Sequence, residues 1–230
     1  MKVIILLMLA AVLVIAAYLA KPLPSAWDPF SPLQVTDAPT FITRYKLKKL
    51  ASDPAACLAV LSSAQQQGYL RFRQLHQVNG TCPLVSPVQV EKVGRVELSA
   101  RFLASCPLAV STTMFVVQVA EPMAVKRLAS PLARIDHLGS YACRNVYHRA
   151  SGRLSEHATA DALDIAGFRL KNGQKISVLT GWSQTSPQGQ WLQEVFRRSC
   201  DYYGNALGPE YNRAHASHFH LGMQGFGICR

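Results

Sequence analysis

Six well-separated cysteines constrain the fold of this chain more than any other feature of its sequence. No two of them form a Cys-x-x-Cys pair, which argues against a zinc finger or a thioredoxin-type redox site. An even number of cysteines behind an export signal indicates disulfide bonds, because thiols oxidise outside the cytoplasm. We expect pairing between sequence neighbours, with buried free thiols as the alternative. The predicted pairs are Cys57–Cys82, Cys106–Cys143 and Cys200–Cys229.

The export signal is the apolar run from Val3 to Ala20. Its length lies at the lower end of the range that spans a bilayer. A cleaved signal peptide needs small residues at its cleavage site, whereas Tyr18 and Leu19 are bulky. We therefore predict that residues 1–21 form an uncleaved membrane anchor, with a cleaved signal as the alternative. Both interpretations place the rest of the chain outside the cytoplasm.

The remainder divides by composition into two parts. Residues 22–50 are rich in proline, which predicts an extended linker or an arm that lies on the domain. Residues 51–230 predict one folded domain, and the hydrophobic content of 49% is sufficient for a core. The formal net charge of +11 favours polyanionic partners, although a basic solvated surface gives the same value. We expect no nucleic-acid partner, because zinc-finger spacing, aromatic RNA-binding runs and basic heptads are missing.

Capping residues, prolines and apolar spacing predict the order of helices and strands. Helices are predicted from Pro54 to Gln67, from Pro107 to about Val119 with a break at Pro122 and a continuation to Ala129, and from Pro187 to Gly204. Strands are predicted over 133–138, 140–144, 162–168, 175–179 and 217–223, with a hairpin turn at Asn172-Gly173. This order favours an α+β fold in which helices pack on one side of a central antiparallel sheet, with disulfides as staples.

Four of the seven histidines lie in two short stretches, residues 155–164 and 215–220. If residues 217–223 form a strand, His218 and His220 point to the same face, because side chains two residues apart share a face. Two neighbouring neutral imidazoles suit a zinc ion. Two structural histidines on a solvated strand face are the alternative.

Asp164 is the unusual residue of the first stretch, because it lies in a predicted strand between two apolar neighbours. A carboxylate there is costly unless it is paired or binds a metal. With His157 and His220 it offers two nitrogens and one oxygen and leaves a position open for water, as a catalytic zinc site requires. We predict that these three residues bind one Zn²⁺ on the sheet and that His218 lies where a general base is needed. Pairing of Asp164 with an arginine is the alternative.

Both stretches resemble known signatures. The segment SEHATADALD, residues 155–164, resembles the S-x-H-x-x-G-x-A-x-D signature of zinc D-alanyl-D-alanine carboxypeptidases and murein endopeptidases, whose relatives include the hedgehog signalling domain. His218-Phe219-His220 resembles the H-x-H of the endopeptidase branch. More closely, residues from about Ala51 to Arg230 resemble the bacterial extensin-like C-terminal domain family. The matching runs are YACR, LSEHATADALDIAGF and LGPEYNRAHASHFHLG.

The resemblance implies a role for each matching residue. The residues that match metal ligands are His157, Asp164 and His220. The residues that match catalytic positions are His218, which assists the attacking water, His215, a further site histidine, and Arg144, which steadies the oxyanion. A surface arginine is the alternative for Arg144.

Two further residues of the first stretch need comment. Ala160 stands where the signature has Gly, so a positive φ at this position costs about 1 kcal/mol for Ala. Glu156 is assigned no role, because its position beside a ligand provides no geometry for a base.

The resemblance implies an exported, zinc-dependent hydrolase that cleaves peptide bonds in peptidoglycan. We expect a monomer with its domain in the periplasm, held at the bacterial inner membrane by the N-terminal helix or released into the periplasm after cleavage. The rival hypothesis is a non-catalytic, metal-containing module that binds wall polymer or a protein. A third is a structural zinc site with His215 or His218 as a fourth ligand.

Overall fold

The computed structural model describes residues 6–10, 12, 23–225 and 227–230. Residues 6–10 and 12 are helical and exposed. Most of the predicted anchor at residues 1–21 lies outside the described residues, so the anchor stays a prediction. The fold is α+β, with helices packed on one side of a sheet, as the sequence predicts.

Three of the helices begin at a capping side chain followed by a proline in the first turn. The caps are Asp53, Ser105 and Ser186, and each accepts a hydrogen bond from a backbone N–H of the first turn. The last predicted helix ends earlier than expected, at Ser199. The helices are α1 Phe41–Leu50, α2 Pro54–Gln66, α3 Cys106–Phe115, α4 Glu121–Leu128, α5 Val178–Gly181 and α6 Pro187–Ser199.

Pro122 does not separate α3 from α4. A π-helical segment, Val116–Ala120, connects them into one continuous helix, because the wider turn accommodates the backbone bond that a proline cannot make. The combined helix Cys106–Leu128 is the one helix of the described residues that is long and apolar enough to span a membrane. Since 67% of its apolar window is buried inside the domain, its apolarity is explained by its place in the core.

The strands form two sheets. Strands β1, β2 and β4 form a three-stranded sheet, and the larger sheet has the order β10-β8-β9-β6-β5-β3, with β7 also paired to β6. The central pairs of the larger sheet are antiparallel, whereas the edge pairs β3–β5 and β8–β10 are parallel. The strands are β1 Leu70–Gln74, β2 Val88–Val93, β3 Glu97–Leu98, β4 Phe102–Ala104, β5 Leu132–Gly139, β6 Ala162–Leu170, β7 Lys175–Ser177, β8 Asn205–Leu207, β9 Phe219–Gly222 and β10 Ile228–Cys229.

The structure confirms the hairpin of β6 and β7, where Gly173 has a φ of 89°, and corrects three predicted strands. Residues 140–144 form no strand, because their backbone bonds go to the irregular segment 153–157. Strand β7 ends at Ser177, where α5 follows, and β9 begins only at Phe219, which leaves His218 in the preceding loop.

The disulfides differ from the predicted pairing in two of three cases. The bonds are Cys57–Cys106, Cys82–Cys143 and Cys200–Cys229, so only the last was predicted correctly. Sequence proximity fails as a guide because α2 packs against α3, which brings the first turn of one helix to the start of the other.

The proline-rich segment packs against the domain. Leu33 and Val35 are buried in the core, and the Gln118 side chain donates hydrogen bonds to the carbonyls of Val35 and Asp37. Residues 41–50, which the sequence analysis places in the same linker or arm, form α1. In the described residues, this segment is therefore part of the folded unit.

Candidate metal centre

The centre is built on the pairing of β6 with β9. In this antiparallel register Asp164 lies directly opposite His220, so their side chains project from the same face and lie close together. The residues that alternate with them, Leu163 and Ile165 on β6 and Phe219 and Leu221 on β9, point to the other face and are fully buried. The sheet thus has a core face and a site face.

His157 reaches the site face from the turn that precedes β6. The turn is the 3₁₀ segment Glu156–Thr159, and it ends at Ala160 with φ 53° and ψ 32°. This left-handed conformation is the one that the signature's glycine favours. The Asp161 N–H donates to the carbonyl of Glu156 and closes the turn. The chain then enters β6 with His157 facing Asp164.

Three side chains converge on one point. His157 Nε2 lies 3.2 Å from His220 Nδ1 and 3.3 Å from Asp164 Oδ2. His220 Nδ1 lies 3.0 Å from Asp164 Oδ1. The ligand atoms of the three residues lie within 4.8 Å of one another, so the group could hold a metal ion.

The second ring nitrogen of each histidine has its own acceptor. His157 Nδ1 lies 3.1 Å from the carbonyl oxygen of Ser140, and His220 Nε2 lies 3.2 Å from Glu156 Oε2. Carbonyl and carboxylate oxygens only accept, so the ring nitrogens facing them carry the protons. The lone pairs of the other two nitrogens are then directed at Asp164. Such outer hydrogen bonds are typical of histidines that bind metals.

These lone pairs and the carboxylate repel one another unless a cation lies among them. A proton is one such cation. Burial alone would lower the pKa of His220, but hydrogen bonds to Asp164 and Glu156 outweigh it and raise the pKa to about 9. Burial alone would raise the pKa of Asp164, but hydrogen bonds to His157 and His220 hold it well below its usual range. A divalent metal ion is the other cation that this donor set fits.

His218 and His215 lie on one side of the cluster. His218 Nε2 is 3.6 Å from Asp164 Oδ2, and its Nδ1 is 3.3 Å from Ser217 Oγ. The His215 ring lies 5.4 Å from that of His218 and 5.8 Å from that of His220. Burial lowers the pKa of His218, and burial together with the neighbouring histidines lowers that of His215 to about 4. Burial thus favours the uncharged form of both rings.

In the described residues, no hydrogen bond or ion pair joins the Arg144 side chain to this cluster. The residue is half-buried, and its carbonyl accepts a hydrogen bond from Ser155 N–H. Within the described part of the chain, its guanidinium makes no hydrogen bond or ion pair. Its assignment to an oxyanion stays a prediction.

Glu156 contacts the candidate ligand His220, although the sequence predicts no role for it. Its carboxylate also accepts hydrogen bonds from the Asn205 side chain and from the N–H of Gln224. The sequence feature that could have indicated a role is that Glu156 directly precedes the candidate ligand His157 on a tight turn. Nothing in the sequence indicates that this carboxylate reaches across to the other histidine.

Comparison with known proteins identifies the family. Residues 55–230 match the family described as extensin-like protein C-terminus. Since the match covers well over half of the chain, the chain belongs to this family. No curated protein and no solved structure matches the chain at a significant level. The expected relation to zinc carboxypeptidases and endopeptidases stays a prediction.

Proposed function

We propose that this chain is an exported, zinc-dependent hydrolase that cleaves peptide bonds in peptidoglycan. The observation that carries the proposal is the asymmetry of the centre. Two ring nitrogens and one carboxylate converge on one point, and the two further histidines lie together beside it. A structural zinc site surrounds the ion with four protein ligands, whereas three ligands leave a place for water.

Zinc fits the donor set, because imidazole and carboxylate are its ordinary ligands alongside thiolate. A bound zinc ion would polarise a substrate carbonyl and make a water molecule acidic enough to react at neutral pH. Two histidines and one carboxylate also suit iron, but a redox metal would require a co-substrate. In this proposal His157, Asp164 and His220 hold the ion.

His218 is the candidate general base. Burial favours the uncharged form of its ring, and Nε2 lies 3.6 Å from Asp164 Oδ2, so the ring can accept a proton beside the ligands. The Ser217 hydroxyl contacts Nδ1 and restricts the orientation of the ring. The Asn212 side chain similarly holds His215 Nδ1 at 2.8 Å, which keeps the second ring beside the first.

Charge and compartment support a wall polymer as substrate. The segment 144–154, which leads into the turn that bears His157, contains three arginines and no acidic residue. Peptidoglycan stem peptides carry carboxylates that such a segment would attract. Three disulfides also suit a protein that works outside the cytoplasm.

The decisive experiment measures metal content and turnover together. The full-length chain is produced in an oxidising compartment, its zinc is quantified, and purified peptidoglycan is incubated with it and analysed by mass spectrometry. We expect one zinc ion per chain and new peptide fragments. Both should disappear in His157→Ala and persist in His76→Ala, a control at an exposed histidine. Zinc without fragments from several wall preparations would favour a binding module instead.

The His218→Ala variant tests the assignment of the base. Loss of a general base typically slows turnover by about 10²- to 10⁴-fold. Zinc content should stay unchanged, because His218 is not among the three converging ligands. Loss of zinc together with activity would instead make His218 a fourth ligand and indicate a structural site.

A further inference from the structure

We propose that Glu156 is a positioning residue for the metal: its carboxylate holds His220 in the tautomer and orientation that present Nδ1 to the ion. The inference rests on the metal centre of the proposed function and deepens it. The turn that provides one ligand, His157, would then also determine how the opposite ligand binds.

The contact between the two residues is direct and buried. Glu156 Oε2 lies 3.2 Å from His220 Nε2, and their side chains are 10% and 11% exposed. A proton on Nε2 satisfies the carboxylate and leaves the lone pair on Nδ1. The alternative tautomer would place two acceptors against each other in a buried site, which is unfavourable.

The carboxylate is itself held by donors alone. Gln224 N–H lies 2.6 Å from Oε1, and Asn205 Nδ2 lies 3.1 Å and 2.9 Å from the two oxygens. Because each of these partners can only donate through the atoms concerned, Glu156 acts as an acceptor towards all of its neighbours. This arrangement fixes both the rotamer of Glu156 and the side of the His220 ring that it contacts.

Gly222 provides the space for this contact. It lies two residues after His220 on β9 and therefore shares the site face. A Cβ at this position would overlap both oxygens of the Glu156 carboxylate and the Asn205 amide. Because φ of Gly222 is not positive, the glycine is explained by the close approach of Glu156 and not by its own backbone conformation.

Comparison of Glu156→Gln with Asp161→Asn isolates the contact. Both substitutions remove one negative charge from the same turn and keep the shape of the side chain. Asp161 accepts hydrogen bonds from Thr159 and Gln224 but contacts neither histidine. In competition titrations with a chromophoric chelator, we expect Glu156→Gln to weaken zinc binding by about 10- to 100-fold. The zinc affinity of Asp161→Asn should stay within a few-fold of that of the wild type.

Equal losses in both variants would assign the effect to the turn and overturn the proposal, as would wild-type affinity in Glu156→Gln. Gly222→Ala supplies a second variant that changes no charge. It should displace the carboxylate and weaken zinc binding in the same direction, and wild-type affinity there would also contradict the proposal.

A measurement on the unmodified protein avoids any dependence on folding of the variants. Long-range ¹H–¹⁵N correlation spectra of the zinc-loaded chain report which ring nitrogen of His220 carries the proton. We expect the proton on Nε2 and the metal on Nδ1, and the reverse would overturn the proposal. If zinc binding depends on Glu156 but peptidoglycan stays intact, the hydrolase fails alone. If hydrolysis occurs and Glu156→Gln binds zinc normally, this inference fails alone.

Discussion

The two faces of the β6–β9 pair share one backbone but carry different kinds of side chain. On the core face Leu163, Ile165, Phe219 and Leu221 are fully buried among other apolar side chains. On the site face Asp164 and His220 are mostly buried too, but they lie among polar groups. Burial alone therefore does not distinguish the faces. They differ in chemistry, because the core face consists of apolar side chains, whereas the polar groups of the site face could hold a cation.

A single register controls both faces. Because side chains alternate along a strand, the pairing that buries Phe219 opposite Ile165 also places His220 opposite Asp164. A slip of one residue would turn the ionisable groups of the slipped strand into the apolar core and its apolar groups onto the site face. The hydrophobic face thus aligns two of the candidate ligands, Asp164 and His220.

The largest expected effect comes from the core face. Phe219 packs on Phe196 and Trp182, with ring centroids 4.9 Å and 5.7 Å away. Truncation in Phe219→Ala should lower the free energy of unfolding by about 3–5 kcal/mol, because it leaves a cavity between these rings. Urea unfolding of metal-free protein measures this. Phe219→Leu, the matched control, should lose less. A loss below about 1 kcal/mol in Phe219→Ala would mean that the core face does not stabilise the sheet as argued.

The site face should gain further stability when the metal binds. Zinc at about 100 times its Kd should raise the free energy of unfolding by about 2.7 kcal/mol, because it binds the folded state alone. Asp164→Asn should lose this increment, since it removes the anionic ligand. Asp136→Asn provides the control on the same sheet, because Asp136 pairs with Arg134 and Arg169. Unfolding with and without zinc measures the increment. If Asp164→Asn keeps it, Asp164 is not a ligand.

The sequence predicted the three residues that converge in the candidate centre, because much of the evidence for them is local. Asp164 interrupts an apolar strand, and this pattern has few structural explanations. Glu156 could not be assigned in the same way, since its contact depends on how far the turn lies from β9. That distance depends on the register of β6 and β9 and on Gly222, which has no side chain to keep Glu156 away. Both are properties of the assembled sheet.

The disulfides and the His218 position illustrate the same limit. The cysteine spacing indicates bonds but not partners, since the Cys57–Cys106 bond follows from the packing of α2 on α3. The alternation rule placed His218 beside His220 on a strand, yet β9 begins after His218. The two histidines nevertheless lie near the same carboxylate, because the loop before β9 turns back towards the site. Proximity was predicted, but its geometric reason was wrong.

The smallest predicted effect comes from glycine substitutions at two left-handed alanines, which should change the free energy of unfolding but not the zinc affinity. Ala160 is left-handed, and Ala129, at the end of α4, has a φ of 50°. Substitution by glycine relieves strain of about 1 kcal/mol at such positions. Ala129→Gly, at an exposed position, should therefore raise the free energy of unfolding by up to about 1 kcal/mol, and Ala160→Gly should raise it by less, because Ala160 is fully buried and loses a buried methyl group. Zinc affinity should be unchanged in both, because Ala160 already adopts the conformation that brings His157 to Asp164. If only Ala160→Gly tightens zinc binding, strain in this turn opposes the metal geometry, and metal binding on the site face then depends on the backbone conformation of the turn.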